Sequence, residues 1–527
     1  MSDLLHYSRH YRVFPYQGQF PLTTFLGALQ STGYEGAYSL EVFNDEFRSS
    51  CPNEIALEGF RSMTYLQKHL DYTFDRLRPV AHGVEFVEFG CSFWERDALR
   101  RLLLDMGFQL IGKHKSKLMD IYGHGQCCII INCETPPQKS ALYLRNGSWV
   151  RSIGVRVSNV DTTAAWAKDL RYPVLLQDEY GVGEDALVAI RAPDESLIYL
   201  VDSATPAAFL SNFVLTSETP RSDGNLSFDY VSRVLSPRDL DKTILFYRSL
   251  FAFELSEKSD IVDPRGLVQA YSMVSKAGRL QLCLNISTSE STVVGRFISH
   301  CGPGIHYISL RTDDIFSALQ TITKNVLLLP QNYFDDLHLR LRLSPEEVAK
   351  LNRENVMYDV DGDGEFLHAC TDAFRGRFFF ELVERRGQYS GYGVQNAAIR
   401  TVKLVLAVLT IIGRTAAQDV SRSACAGGES FVMWASHSLL CTCRILLVVV
   451  DNAILKHIHL RQCGGAIDTR IKGFGRLRLV LHRLCIVLEC TLVSQFSLGV
   501  KGRVVALVAS IKWVIQQHTS LWSPSQS

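Results

Sequence analysis

The chain has 527 residues, 47% hydrophobic and 21% charged, with a formal net charge of +1, enough apolar material for two to four cored domains. That total hides two opposed parts: residues 1–396 carry 40 Lys and Arg against 49 Asp and Glu, and residues 397–527 carry 15 against 5. The acidic first part argues against nucleic-acid binding. The opening residues lack a basic segment ahead of an apolar core, which reads as a cytoplasmic protein without a signal peptide, and 14 cysteines with no CxxC pair read as reduced thiols rather than disulfides or zinc ligands.

In chain order, "SRHYRVFPYQGQFPL" from Ser8 precedes a helical "TTFLGALQSTGYEG", the apolar "AYSLEVFND" from Ala37 and a helical "PNEIALEGFRSMTYLQKHL" from Pro52. In a strand of period two, Glu41 joins the row of Ser39 and Phe43, so a carboxylate enters a row that burial would claim and needs a partner there. This succession, over residues 1–75, resembles the last quarter of a TIM barrel of the xylose isomerase-like, sugar phosphate isomerase and endonuclease IV group. The resemblance implies that Glu41 is a metal ligand at the end of the final strand, and that Ser8 and Arg12 contact substrate, Arg12 by clamping a carboxylate. A whole barrel takes about 250 residues, so the remaining ligands and the general base are expected from six strands that this sequence does not contain. A barrel end alone exposes a sheet edge open to pairing with another chain, and a homo-oligomer is left open.

Four later segments share one grammar of strand, amphipathic helix and further strands. They begin "HGVEFVEFG" at His82, "RSIGVRVSNV" at Arg151, "SFDYVSRVL" at Ser227 and "GIHYISLRT" at Gly304. The spacing is too long for a solenoid and suits a duplicated βαβββ module. A stretch rich in Ser, Thr, Pro and Asn, placed at 211–226, reads as a linker between a first lobe at 76–210 and a second at 227–396.

These repeats resemble the vicinal oxygen chelate fold. The last two are similar to the C-terminal half of 4-hydroxyphenylpyruvate dioxygenase through "GIHYISLRTDDIFSAL", "LLLPQNYFDDL" and "FRGRFFFELVERRGQYSGYGVQN". The implied fold class is α+β: four βαβββ modules in two lobes, preceded by a partial TIM-barrel fragment and followed by a poorly ordered tail. In that family two histidines and a glutamate bind a divalent metal, a facial set whose open positions suit ferrous iron, a chelating substrate and oxygen. Carried over, the second histidine falls on His306 and the glutamate on Glu381, while the first position, after Asp229, holds Tyr230. A phenol that ionises near pH 10 is a poor ligand at neutral pH.

A barrel end followed by a dioxygenase-like region resembles the bacterial two-domain 3-dehydroshikimate dehydratase family. The resemblance implies a lyase of quinate and shikimate catabolism that converts 3-dehydroshikimate to protocatechuate (3,4-dihydroxybenzoate) and water. It also implies Mg2+, Mn2+ or Co2+ to stabilise the enolate formed when the alpha proton leaves, with activity impaired in this chain by the absent strands. The alternative is a 4-hydroxyphenylpyruvate dioxygenase-like Fe2+ oxygenase of an aromatic 2-oxo acid, which would need its first histidine. A third reading is a silent binding module.

Residues 397–527 alternate Leu and Val runs with isolated Arg, and none reaches the about 18 apolar residues of a membrane span. A basic membrane-surface appendage competes with translated sequence never selected as protein; the second is favoured, because neither a clean period nor helix caps survive. The acidic "DVDGDGEF" from Asp359 opens like a calcium loop, but its twelfth position is Cys370 where a bidentate Glu is required, so a hairpin turn is expected.

Overall fold

The computed structural model describes residues 9–71, 78–134, 148–176, 183–216 and 225–400, less short gaps at 264, 278–279, 323–325, 342 and 398. Ser8 and the basic stretch from 401 onward, for which low order is expected, lie outside the described residues.

The amino-terminal segment supplies the two helices its periodicity implies, α1 (Leu22–Ser31) and α2 (Pro52–His69). Pro52 takes the first helical position of α2, where its missing N–H costs nothing, and Lys68 and His69 complement the negative helix end. The stretch 37–45 departs from its expected strand. It meets the chain around Tyr11 in a single bridge, Tyr11 to Asn44, with Arg12 N donating to Phe43 O at 3.0 Å. A barrel strand is ladder-bonded on both edges, and among the described residues no further strand lies beside this one. Phe20 and Phe43 are consequently 87% and 55% exposed.

Helix α2 is tied down through its other face. Ser62 Oγ donates to Pro15 O at 2.9 Å, the Arg61 guanidinium lies 4.1 Å from the Tyr172 ring centre and donates to Leu170 O at 3.1 Å, and Tyr65 OH donates to Arg248 O at 3.0 Å. One helix thus binds both lobes.

All four repeats fold as read. The first comprises β1 (Ala81–Gly90), α3 (Arg96–Asp105), β2 (Gln109–His114), β3 (Met119–His124) and β4 (Cys127–Asn132). The second comprises β5 (Trp149–Val157), α4 (Val160–Asp169), β6 (Val174–Leu176), β7 (Val188–Arg191) and β8 (Leu197–Asp202). Then β9 (Phe213–Leu215) pairs antiparallel with β2, so the stretch expected as linker begins as an edge strand. The third repeat holds β10 (Ser227–Leu235), α5 (Leu240–Phe251), β11 (Phe253–Asp263), β12 (Gly266–Ser275) and β13 (Gln281–Ile286), and α6 (Val293–Cys301) follows. The fourth inserts extra helices: β14 (Gly304–Arg311), α7 (Ile315–Thr321), α8 (Gln331–Leu341), α9 (Pro345–Glu354), β15 (Met357–Asp361), β16 (Gly364–Cys370) and β17 (Phe379–Arg386).

Local chemistry fixes these ends. The Asn159 side chain caps α4 by accepting from Thr162 N at 2.8 Å, Asp314 caps α7 through Phe316 N at 3.0 Å, and Ser344 with Glu347 forms a reciprocal capping box on α9, each worth about 1 kcal/mol. The acidic "DVDGDGEF" is the β15–β16 hairpin, with Gly362 at φ 56° in its turn.

Two sheets result, ordered β6, β7, β8, β5, β1, β4, β3, β2, β9 and β11, β12, β13, β10, β14, β17, β16, β15. In each, the opening strands of two modules pair antiparallel at the centre, and each lies parallel to the last strand of its own module. Strand β4 reads "CCIIIN" without alternation because both its faces are covered. Cys127, Ile129 and Ile131 enter the large core shared with the second lobe, while Cys128 and Ile130 pack with Phe86 and Phe209.

Between the lobes, Arg233 of β10 is fully buried and donates to Asp194 and, at 2.9 Å, to Ser196 Oγ, both in the β7–β8 turn; Trp166 Nε1 donates to Ser249 O at 2.8 Å. Removing one charge of a buried pair costs more than the pair contributes, because the other stays desolvated. Arg233→Met is therefore expected to destabilise the protein by about 3–5 kcal/mol in urea unfolding. A loss below about 1 kcal/mol would mean that the pair behaves as a surface one.

Candidate functional site

The inner face of the second sheet collects the side chains of alternate residues from four strands. Strand β10 brings Tyr230, β14 Tyr307, β16 His368 and Cys370, and β17 Glu381. The register sets Ser309 beside Glu381 and Tyr307 beside Phe379, so Tyr307 and Ser309 share the face of Glu381. Glu381 is wholly buried, as are Tyr230 and His368. Its Oε2 accepts from the Tyr230 hydroxyl. Its Oε1 accepts from His368 Nδ1 at 2.8 Å and from Arg400 Nη1 at 2.8 Å.

A surrounding layer holds these groups in place. Asn396 Nδ2 lies 3.0 Å from His368 Nε2 and donates to Tyr358 O at 3.0 Å, and its Oδ1 accepts from Tyr333 OH at 3.1 Å. With Nε2 accepting, the imidazole hydrogen sits on Nδ1, where Glu381 receives it. Gly393, at φ 60°, brings its backbone so close to His368 that a Cβ there would stand 3.0 Å from the ring. Arg400 Nη2 reaches Tyr307 OH at 3.4 Å, with the guanidinium 4.9 Å from that ring's centre. Asp229 accepts three bonds from Arg385, at 3.1, 2.9 and 2.8 Å, and Arg385 Nη1 also donates to Gly391 O at 2.7 Å, which fixes the loop that leads to Asn396.

The electrostatics follow from burial set against one cation. Desolvation pushes the Glu381 carboxyl up, but Arg400, His368 and Tyr230 outweigh it and hold the group down at about 2. Burial, then the neighbouring Glu381, drives the Tyr230 phenol well above its ordinary range, so its proton stays. The Cys370 thiol is likewise pushed well up by burial.

The carried-over residues fare differently. Glu381 lies at the centre and Tyr230 touches it. His306 does not join them: it falls at a register shift of β14 against β10, its ring packs 4.7 Å from Phe297 of α6 and 5.3 Å from Phe379, and Tyr307 takes the place beside Glu381 instead. Glu41 is exposed on the unladdered stretch 37–45, and no second ligand is grouped with it among the described residues. Arg12 is exposed, its guanidinium 4.9 Å from the Phe43 ring centre, and Ser8 is outside the described residues. Sequence reasoning missed Tyr307, His368 and Arg400. The alternation of Phe366, His368 and Cys370 along β16 was a usable signal for His368; the parity of β14 required the strand register.

The likeness to a dioxygenase implies a divalent metal here, and the donor set does not fit one. Phenols stand at the inner positions of β10 and β14, and both oxygens of Glu381 are engaged. Among the described residues the sole cluster of three ligating groups is His368, Cys370 and Glu381, with atoms within 4.8 Å. Its carboxylate oxygen, however, already accepts from His368 and a guanidinium.

Comparison with known proteins agrees with this architecture. The family model of the N-terminal part of hydroxyphenylpyruvate dioxygenase matches residues 78–210. The chain is 33% identical over 426 residues to the 3-dehydroshikimate dehydratase of Pseudomonas putida, covering 77% of this chain and 67% of that protein. It is 34% identical over 429 residues to that of Pseudomonas aeruginosa, with the same coverages. The 4-hydroxyphenylpyruvate dioxygenase of Legionella pneumophila is 26% identical across 60% of this chain and 91% of its own. A solved xylose isomerase-like TIM barrel/4-hydroxyphenylpyruvate dioxygenase fusion protein superposes with a TM-score of 0.67 at 33% identity, over 76% of this chain and 67% of its own. The fold is thus that of a two-lobed vicinal oxygen chelate protein fused to the end of a barrel. The chain belongs to the 3-dehydroshikimate dehydratase family, and it spans 67% of the length of the two dehydratases.

Burial, followed by the charge of Arg400, lowers the His306 imidazole to about 3 from an ordinary 6.5. A histidine kept neutral in the fold contributes full stability above the unfolded value, and that stability is lost as pH falls from 6.5 towards 3. His306→Phe should therefore narrow the stability difference between neutral and mildly acidic pH, by roughly 1–2 kcal/mol in denaturant titrations. An unchanged pH dependence would mean that the imidazole titrates normally in the fold.

Proposed function

We propose that this chain serves a 3-dehydroshikimate dehydratase-like lyase whose chemistry belongs to the barrel end, while the two lobes form a scaffold. The supporting observation is the 33% identity over 426 residues to the Pseudomonas putida dehydratase, covering 77% of this chain. The reaction removes a proton alpha to a ketone and expels water, leaving an aromatic ring. Arg12 suits the substrate carboxylate, being fully charged, forked and at the surface beside Phe43. Ser8 is proposed as a second substrate contact, and Glu41 as one ligand of a Mg2+, Mn2+ or Co2+ ion whose other ligands are not among the described residues; such an ion would stabilise the enolate. A cytoplasmic location is proposed with the cysteines read as reduced thiols. No helix of the described residues is long and apolar enough to cross a membrane. The exposed aromatic edge of residues 11–43 fits pairing with further barrel strands or a second copy.

The dioxygenase alternative loses support at β10 and β14, where phenols occupy the inner positions. Oxygen uptake with Fe2+ and 4-hydroxyphenylpyruvate should stay at background; uptake above it would restore the oxygenase reading. For the lyase, the chain can be joined to the amino-terminal third of the Pseudomonas putida dehydratase and protocatechuate formation followed by absorbance. In that fusion Glu41→Gln is expected to lower the rate at least about 100-fold and Arg12→Lys about 100-fold, mainly through lost orientation. Equal rates with and without Glu41 would remove it from the metal set.

A further inference from the structure

We infer that Arg400 replaces the metal in the second lobe: its guanidinium is the resident cation of Glu381, and the centre is a closed core that excludes divalent ions. This deepens the reading of the lobes as scaffold and rests on it.

Three independent observations carry it. The first is position. Arg400 Nη1 stands 2.8 Å from Glu381 Oε1, and a metal bound to that oxygen would sit about 2.0–2.2 Å away, in space the guanidinium already fills. The second is charge. Arginine stays protonated at every accessible pH, so a second, divalent cation beside it would meet repulsion in a dry site, while the single negative charge of Glu381 is already balanced. The third is the donor set. Tyr230 donates its hydroxyl proton to Glu381 and Tyr307 lies in contact with Arg400 Nη2. To ligate, a phenol would have to lose that proton against burial, and Glu381 would have to give up a hydrogen bond.

His368 supplies the remaining donor. It donates to Oε1 at 2.8 Å, and Asn396, four residues before Arg400, stands 3.0 Å from the other imidazole nitrogen. The same short segment thus delivers the cation and orients the histidine, so the carboxylate is satisfied by protein groups alone.

The test uses Co2+ as probe, because its visible bands report the ligand field independently of any catalysis. The unmodified chain should give no Co2+ band that depends on Glu381, and any difference in its melting temperature between Co2+ and EDTA should vanish in Glu41→Gln. The triple variant Tyr230→His/Tyr307→His/Arg400→Ala, which restores two imidazoles and removes the guanidinium, should bind one Co2+ roughly 100-fold or more tightly than the unmodified chain, and adding Glu381→Gln should abolish that binding. Stoichiometric Co2+ on the unmodified chain, lost in Glu381→Gln, would overturn the inference. If the triple variant does not fold, the singles decide: Arg400→Met should lower the melting temperature more than Arg400→Lys, and an Arg400→Met protein as stable as the unmodified one would equally overturn it. Co2+ held through Glu41 disappears in Glu41→Gln and persists in Glu381→Gln, so failure here is distinguishable from failure of the lyase reading.

Discussion

A carboxylate with no access to water sits at the middle of the second lobe, and the surrounding structure is arranged to accommodate it. An ionised group in such a place must be neutralised nearby or lose its charge. Glu381 keeps its charge because Arg400, His368 and Tyr230 converge on it from three separate chain segments, which together hold it at about 2. Tyr230 comes from the third module, His368 and Glu381 from the fourth, and Arg400 from the chain after it. The carboxylate therefore joins two modules and the segment beyond, and the Asp229–Arg385 pair and Gly393 serve chiefly to bring that segment into place.

The first lobe solves the matching problem by other means. Glu88, on the opening strand β1, is also buried; it accepts from Asn132 Nδ2 at 2.6 Å from β4 and from Ser152 Oγ from β5, and the Arg151 guanidinium stands farther off, at 4.0 Å. Around it Phe86, Ile130 and Phe209 fill the inner face. The twofold-like pairing of module-opening strands repeats a place for a central acid in each lobe, but the residues that answer it are different. The two lobes thus share a strand geometry while surrounding a buried acid with different partners.

Much of this was legible before any coordinates. The four modules followed from helical and strand periods, the acidic "DVDGDGEF" from its turn chemistry, and the place of Glu381 on the last strand from the resemblance of "FRGRFFFELVERRGQYSGYGVQN" to the dioxygenase family. Three points were not. His306 and Tyr307 are adjacent, and which one faces Glu381 depends on how β14 registers against β17, a long-range fact that no local pattern encodes. Arg400 lies beyond the last strand, in sequence that looks like the start of an unrelated tail, and only the folded chain brings it back to the carboxylate. The stretch 37–45 has a strand's composition, but composition makes a strand only where neighbours offer hydrogen bonds, and among the described residues it meets a single bridge.

These facts suggest a division of labour with a physical basis. A carboxylate balanced by an arginine has a counter-ion that cannot be chelated, exchanged or titrated away within the range in which proteins work. A lobe built on one therefore keeps its shape whatever the supply of metal. Helix α2 rests on that shape, with Arg61 on the first lobe and Tyr65 on the second, and it follows directly after the stretch that carries Glu41. On the proposed reading, an ion that acts on substrate would belong to the amino-terminal segment, while the lobes fold by the protein's own charges.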